Sequence, residues 1–100
     1  MIYHITSADA AEAARKSGEY IPEGFELEGF IHCSYTHQIQ GVVQRRFQGR
    51  TNLVLLEIDP SRLSCRVVDE NLEGGVELFP HVYGRLPMSA VIGIKKLAVV

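Results

Sequence analysis

The stretch LVLLEI, from Leu53 to Ile58, is long, apolar and rich in branched side chains. An apolar run of this kind is typical of a strand that is covered on both of its faces. We therefore predict that these six residues form the central buried strand of the fold. Within it, we expect Leu53, Leu55 and Ile58 to be largely buried.

Two strands and two helices are predicted before this central strand. Residues 2–5 and 29–34 have the apolar composition of strands, and the alanine-rich residues 8–17 favour a helix that stops at Gly18. Thr6 and Ser7 are alternative N-caps for this helix. Residues 19–28 contain proline and glycine and are predicted to form a loop.

The second helix is predicted from Thr36, which is its expected N-cap, to Gly49, which ends it. Apolar side chains recur through it at helical spacing, so one of its faces is expected to pack against the sheet. These apolar side chains are Ile39, Val42, Val43 and Phe47.

The remaining third of the chain is predicted to be mostly strands and turns. Pro80 has no backbone N–H to donate, so its strand is expected to end there or to lie at a sheet edge. The predicted order is a turn over residues 59–63, a strand over 64–70, a turn over 71–75, a strand starting at 76, a loop with one helical turn over 81–90, and a strand over 91–100.

The helices come early in this order and the strands come late. Such an order indicates an α+β fold, here a single small domain over residues 1–100 with a mixed or mostly antiparallel sheet and two early helices. A chain of 100 residues is long enough to bury a hydrophobic core without disulfides or metals.

The net charge of −2 argues against nonspecific binding to nucleic acid, which requires a basic surface. The sequence contains no apolar run long enough for a membrane span, and its start lacks the pattern of a signal peptide. Cys33 and Cys65 are isolated and are expected to be small buried hydrophobic residues in a reduced, cytoplasmic protein. The oligomeric state stays open.

Three histidines, His4, His32 and His81, fall within apolar segments at the ends of predicted strands. A single histidine in such a place is usually a structural residue with satisfied hydrogen bonds. Three of them favour a shared site, and we predict that their side chains converge on one pocket with Ser34 and Tyr83 in its wall. Because side chains alternate along a strand, His32 and Ser34 share one face and Cys33 lies on the other.

A zinc site built from the three histidines is an alternative, although none of them has the close spacing of a metal motif. A serine–histidine–acid triad has less support, because the sequence contains no G-x-S-x-G turn.

Three segments carry a resemblance to a known family. They are GFIHCS at residues 29–34, LLEIDPSRL at 55–63 and ELFPHVYGRL at 77–86. In these segments, and over nearly its whole length, the chain resembles the domain-of-unknown-function 952 family of short bacterial and eukaryotic proteins. That family in turn looks like a minimal version of the ADP-ribosyltransferase-like fold.

The resemblance implies a protein that binds NAD, ADP-ribose or another phosphorylated nucleotide and that transfers or cleaves at a ribosyl carbon. It suggests NAD as the cofactor and a small nucleotide-like molecule as the partner. A noncatalytic module that binds its ligand in the same cleft is the alternative. The implied catalytic residues are His32, Glu70 and His81, with Glu77 as an alternative to Glu70 for the catalytic acid. The implied cofactor-binding residues are His4, Thr6, Ser34, Tyr83 and Arg85.

Overall fold

The computed structural model describes residues 1–72 and 74–97. Three short 3-10 turns, Thr36–Gln38, Pro60–Arg62 and Met88–Ala90, join its helices and strands. The helices and strands are β1 (Ile2–Ser7), α1 (Ala8–Ser17), β2 (Glu19–Tyr20), α2 (Phe25–Glu28), β3 (Ile31–His32), α3 (Ile39–Arg46), β4 (Leu53–Ile58), β5 (Val67–Glu70), β6 (Phe79–Val82), β7 (Leu86–Pro87) and β8 (Val91–Lys96).

The strands form three antiparallel sheets, with the orders β1-β4-β8, β2-β7 and β3-β6-β5. β4 is central in the first sheet, as the sequence predicted. A bridge between Tyr3 and Ser34, with backbone hydrogen bonds of 2.8 Å in both directions, connects β1 to the segment after β3. This bridge holds the first and third sheets together at the position of the histidines.

Both faces of β4 are buried, and this explains why its sequence does not alternate between apolar and polar residues. Val54, Leu56 and Ile58 belong to one core cluster, and Leu53 and Leu55 belong to another on the opposite face. The second cluster also contains the apolar face of α3. The predicted burial of β4 and the predicted packing of this helix are both confirmed.

α1 begins and ends at the residues that favour such boundaries. The sequence left Thr6 and Ser7 as alternative caps, and Ser7 is the N-cap, since its Oγ accepts from the N–H of Ala10 at 3.0 Å. Gly18 has a φ of 90° and its N–H bonds to the carbonyl of Ala14, so it closes the helix as predicted.

The second predicted helix differs at both of its ends. Thr36 does not cap it but starts a 3-10 turn, where the amide oxygen of Gln38 accepts from the N–H of Tyr35 at 3.0 Å. α3 ends at Arg46 with Phe47 as its C-cap, so the prediction that it continues to Gly49 was wrong. The side chain of Gln38, which bonds back to the backbone of Tyr35, therefore takes the place of the hydroxyl cap expected from Thr36.

The prediction for Pro80 was wrong, because β6 runs from Phe79 past Pro80 to Val82 and lies between β3 and β5. Pro80 still takes part in the pairing through its carbonyl oxygen, which accepts from the N–H of Cys33 at 3.0 Å.

Other boundaries also differ from the prediction. The strand expected over residues 29–34 pairs only at Ile31–His32, and the one expected over 64–70 begins at Val67. Residues 19–28 contain β2 and the one-turn helix α2 in place of a continuous loop. The last strand is described from Val91 to Lys96, and Glu73 and residues 98–100 lie outside the described part of the chain. The helical turn expected within residues 81–90 is present at Met88–Ala90.

Candidate functional site

His32 and His81 face each other directly across the β3–β6 ladder. Ile31 and Cys33, on either side of His32, are almost fully buried in the main core, so alternation along the strand turns His32 to the other face. The Nδ1 atom of His32 lies 3.1 Å from Nε2 of His81, which is a hydrogen-bonding distance. The two imidazoles are therefore directly coupled.

Glu70 continues this chain of polar groups from the neighbouring strand β5. Its Oε1 lies 3.0 Å from Nδ1 of His81 and also accepts a hydrogen bond from the hydroxyl of Tyr83. The hydrogen bond from Tyr83, followed by the contact with His81, lowers the pKa of Glu70, so this carboxylate is ionised at neutral pH. Phe30 stacks on the ring of His81 with centroids 4.2 Å apart.

The protonation states follow from these contacts. Burial lowers the pKa of His32 to about 4, and the nearby charge of Arg46 and the neighbouring His81 add to the effect. A carboxylate can only accept, so Nδ1 of His81 carries a proton. When His81 is neutral, its Nε2 is then an acceptor, and Nδ1 of His32 donates to it. This leaves the lone pair of His32 on Nε2.

Nε2 of His32 is shielded from solvent and has no hydrogen-bond partner among residues 1–72 and 74–97. Polar atoms that are buried in proteins are nearly always hydrogen-bonded, and the exceptions need an explanation. An acceptor nitrogen that is oriented by a histidine–carboxylate pair and left without a partner is typical of a group kept for a ligand.

His4 belongs to a second polar chain that meets the first at His32. Its Nδ1 lies 2.7 Å from the carbonyl oxygen of His32, so Nδ1 carries the proton. Burial lowers the pKa of His4, so its Nε2 accepts, and the hydroxyl of Tyr20 donates to it over 2.8 Å. The hydroxyl of Tyr20 also lies 2.9 Å from Oγ1 of Thr6.

Four adjoining cavities surround these residues, and we refer to them together as the histidine groove. The largest, of about 360 Å³, is lined by His32, His81 and Glu70 among others. A smaller one, of about 110 Å³, has His4, His32 and Ser34 in its wall. The other two adjoin the smaller cavity, sharing His4 and His32 in one case and Ile5 and Phe47 in the other.

Three arginines from the end of α3 and the turn after it border the histidine groove. Arg45 lines the largest cavity, Arg46 lines two of the smaller ones, and Arg50 lines the fourth. The guanidinium of Arg50 lies over the ring of Phe47, 5.4 Å from its centroid. Glu70 and Glu77 add negative charge to the largest cavity. Glu23 lines two of the other cavities, and Glu28 lines one of these two. The groove therefore offers both cations and carboxylates along its length.

The histidines predicted to share a site are thus brought together, although in a chain and not around a single point. His32 is the central member of this chain, because its imidazole contacts the ring of His81 and its backbone carbonyl oxygen contacts the ring of His4. Ser34 lies in the wall of the small cavity, and Tyr83 reaches the chain through Glu70. Arg85 lies elsewhere, with its guanidinium 3.6 Å from Glu19 beside the β2–β7 pair.

Sequence reasoning missed two parts of this site. Tyr20 sits in a segment predicted to be loop, and nothing in its local sequence signals the hydrogen bond to His4. Arg45 and Arg46 are visible in the sequence as part of a small basic cluster, and their place at the last turn of an amphipathic helix could have indicated the border of a cleft.

Across the described residues, no three histidine, cysteine or acidic side chains come together in a way that could hold a metal ion. The three-histidine zinc alternative therefore finds no support in this part of the chain. None of the helices in the described ranges is long and apolar enough to cross a membrane.

Residues 5–94 match the family model described as "Protein of unknown function (DUF952)". The chain belongs to this family. The segments that carried the resemblance, including both histidine motifs, lie within the matched region. A comparison with curated proteins gives no match.

Solved structures of one protein, CC0527 from Caulobacter crescentus, are similar to the chain. Its X-ray structure is 33% identical, with a TM-score of 0.86 over 99% of this chain and 87% of that one. Its solution NMR structure is 34% identical, with a TM-score of 0.84 over 99% of this chain and 85% of the other. The α+β fold with antiparallel sheets is therefore shared with this protein.

Proposed function

We propose that this DUF952 protein binds a phosphorylated nucleotide in the histidine groove, with NAD and ADP-ribose as the first candidates. In this proposal the chain is a minimal ADP-ribosyltransferase-like protein that transfers or cleaves at a ribosyl carbon. The observation that carries the proposal is the buried Nε2 of His32, which has no hydrogen-bond partner among the described residues and lies where a row of arginines borders the groove.

The arginines account for the phosphate part of the ligand. A guanidinium forms paired hydrogen bonds with phosphate oxygens, and Arg45, Arg46 and Arg50 are spread along adjoining cavities. An extended ligand with two phosphates matches such a row better than a single compact anion does.

The histidine side of the groove accounts for the sugar and the ring. Nε2 of His32 is a hydrogen-bond acceptor and therefore suits a ribose hydroxyl. Phe79, whose ring centroid lies 4.9 Å from that of His32, lines the largest cavity and offers an aromatic face to a base. Glu70 supplies the negative charge that would stabilise a cation developing at a ribosyl carbon.

The ligand reaches Nε2 only if a neighbouring side chain moves, because this atom is shielded from solvent. Arg46 is exposed and borders the small cavity next to the imidazole. In this proposal its guanidinium moves toward the phosphate as the ligand binds, and this movement widens the small cavity beside His32. Binding of the phosphate and access to His32 are in this way coupled.

Calorimetric titration of the protein with NAD, ADP-ribose and inorganic phosphate tests the proposal. We expect binding of the nucleotides and a loss of about tenfold or more in affinity for His32→Asn. Asparagine places its amide nitrogen near Nδ1 of the histidine, so it keeps a donor for His81 and removes only Nε2. His37→Asn, at an exposed position, is the matched control and should bind as wild type does.

A second pair of variants distinguishes binding by the groove arginines from a general effect of positive charge on the protein. Arg45→Gln should weaken nucleotide binding, whereas Arg62→Gln should not, because Arg62 lies in the Pro60–Arg62 turn beside Asp59. The loss for Arg45→Gln should shrink as salt is added. Equal affinities of wild type and His32→Asn, or no binding of either nucleotide by wild type, would contradict the proposal.

Release of nicotinamide from NAD distinguishes an enzyme from a module that only binds. Turnover that is lost in His32→Asn supports the catalytic form of the proposal. Tight binding of NAD without any release of nicotinamide would leave the noncatalytic module as the function of the groove.

A further inference from the structure

Glu70, His81 and His32 form a continuous chain from a carboxylate to an unpartnered nitrogen. The two contacts are 3.0 Å, between Glu70 Oε1 and His81 Nδ1, and 3.1 Å, between His81 Nε2 and His32 Nδ1. We propose that His32 Nε2 takes a proton from an O–H group of the bound ligand or its acceptor, and that the positive charge is passed to His81, where Glu70 stabilises it.

The starting arrangement defines the path of the proton. Glu70 is an acceptor only, so His81 donates to it from Nδ1 and accepts at Nε2. His32 therefore donates from Nδ1 and keeps its lone pair on Nε2. Each of the two histidines thus donates from Nδ1 and accepts at Nε2, and both donate in the direction of Glu70.

The transfer is balanced in atoms and charge. The O–H bond of the donor breaks, and its electron pair stays on oxygen, which becomes the nucleophile. The proton forms a bond with Nε2 of His32. The proton on Nδ1 of His32 then moves to Nε2 of His81, so His32 is neutral again and His81 becomes an imidazolium next to the carboxylate of Glu70.

The surroundings of His32 explain why the charge does not stay on it. Burial and the guanidinium of Arg46 keep the pKa of His32 low, so a proton held on this ring alone is unfavourable. On His81, the next member of the hydrogen-bonded chain, the same positive charge lies against the carboxylate of Glu70. The charged and titratable groups around His32 are Arg45 and Arg46 from α3, His4 from β1, His81 from β6, Glu70 from β5, Glu28 from α2, and Glu23 and Glu77.

In the proton transfer His32 is the catalytic residue, while His81 and Glu70 are positioning residues that act through it in this step. Tyr83 has a subsidiary part, since its hydroxyl holds Glu70 from the other side. The inference rests on the proposed function for the identity of the ligand, but the direction of the hydrogen bonds is a property of the empty protein.

Nitrogen-15 NMR of the ligand-free protein tests the relay directly, because the shifts of Nδ1 and Nε2 show which one carries the proton. At pH 8, we expect His32 to carry its proton on Nδ1. On acidification, the first proton should switch His32 to the Nε2–H form while it stays neutral, and His81 should become protonated on both nitrogens. A structural pair without a relay would not move the proton of His32 from one nitrogen to the other.

Glu70→Gln removes the negative charge at the end of the chain. We expect the switch of His32 to occur at a pH about one unit or more lower than in wild type. Tyr83→Phe is the matched control, because it removes the other hydrogen bond to Glu70 and keeps the carboxylate, so the switch should be retained. The amide spectrum of each variant shows whether it is folded. If a variant does not fold, the titration of the wild-type protein still tests the relay.

The proposal is overturned if His32 carries its proton on Nε2 at pH 8, if it becomes an imidazolium itself with the first proton, or if Glu70→Gln leaves the pH of the switch unchanged. Each result is independent of any nucleotide. Failure of the nucleotide titrations with an intact switch would therefore remove the proposed ligand and leave the relay in place.

Discussion

At the scale of single residues, the hydroxyl of Tyr20 shows how the site and the fold depend on each other. Tyr20 is 5% exposed, and its hydroxyl lies between Nε2 of His4 and Oγ1 of Thr6. Tyr20→Phe keeps the ring in the core but leaves two buried polar atoms without this partner. We expect a loss of about 1–3 kcal/mol in the free energy of unfolding, measured by urea denaturation.

Tyr3→Phe is the matched control for this measurement. Tyr3 lies on the same strand as His4, and its hydroxyl makes no hydrogen bond to the described residues. Its change should stay within about 0.5 kcal/mol. Equal losses for the two variants would mean that the hydrogen bonds of Tyr20 contribute little.

The two histidines with lowered pKa values predict the response of the protein to acid. An unfolded histidine takes up a proton near pH 6.5, whereas folded His32 does so only at about pH 4. Between these values the unfolded chain binds more protons, so stability should fall as the pH is lowered from 6.5. His4, whose pKa is also lowered, acts in the same direction.

Urea unfolding between pH 7.5 and 5 measures this slope and stays above the range where most carboxylates titrate. His32→Asn should flatten the slope, because one of the buried bases is gone. His37→Asn should leave it as in wild type. A stability that is constant over this range would show that the folded protein lets both histidines take up protons.

At the scale of elements, β4 contributes side chains to both core clusters, and Leu56 at its centre is fully buried. Leu56→Ala should therefore cost about 2–5 kcal/mol in the free energy of unfolding. Leu27→Ala in α2 makes the same chemical change at a side chain that is 93% exposed, and should cost less than about 0.5 kcal/mol. A small loss at Leu56 would mean that the core closes around the missing side chain.

The turn between β6 and β7 has a close approach that requires glycine. A Cβ atom on Gly84 would lie 2.8 Å from Cβ of Cys65 and 2.9 Å from its Sγ. Gly84→Ala should therefore destabilise the protein by about 1–3 kcal/mol, as other overpacked sites do. Gly75→Ala, where the nearest neighbouring atom would be 3.9 Å away, is the control. A wild-type denaturation midpoint for Gly84→Ala would show that Cys65 can move aside.

At the scale of the whole molecule, the site exists because two sheets meet. The Tyr3–Ser34 bridge brings β1 against the segment after β3, and this places His4 under the carbonyl of His32. The β3–β6 register then sets His32 opposite His81. The site therefore combines residues that are 28 and 49 positions apart in the chain.

Strong local patterns are the part of the fold that the sequence predicted well. The continuous apolar run of β4, the apolar face of α3 and the serine and glycine at the ends of α1 all led to correct elements. Each of these signals lies within a few neighbouring residues, where side-chain spacing and backbone preference decide the outcome. The α+β class followed from their order.

The boundaries that were wrong depend on contacts with distant residues. Gln38 replaced Thr36 at the start of the second helix because its side chain bonds to the chain before it and to the carbonyl of Leu78. The strand over residues 29–34 is short because only two of its residues pair with β6. No local pattern encodes either of these partners.

The same division applies to the candidate site. The sequence alone determined which donors and acceptors the predicted residues can offer, because a histidine, a carboxylate and a tyrosine keep them in any fold. It also determined that the side chains of His32 and Cys33 point to opposite faces of the sheet, because side chains alternate along a strand. Only the tertiary structure decided that the histidines form a chain through His32, that Tyr20 and α3 complete the groove, and that Arg85 lies elsewhere. Those outcomes depend on sheet register and on how the sheets pack, which are set by long-range burial of apolar surface and not by neighbouring residues.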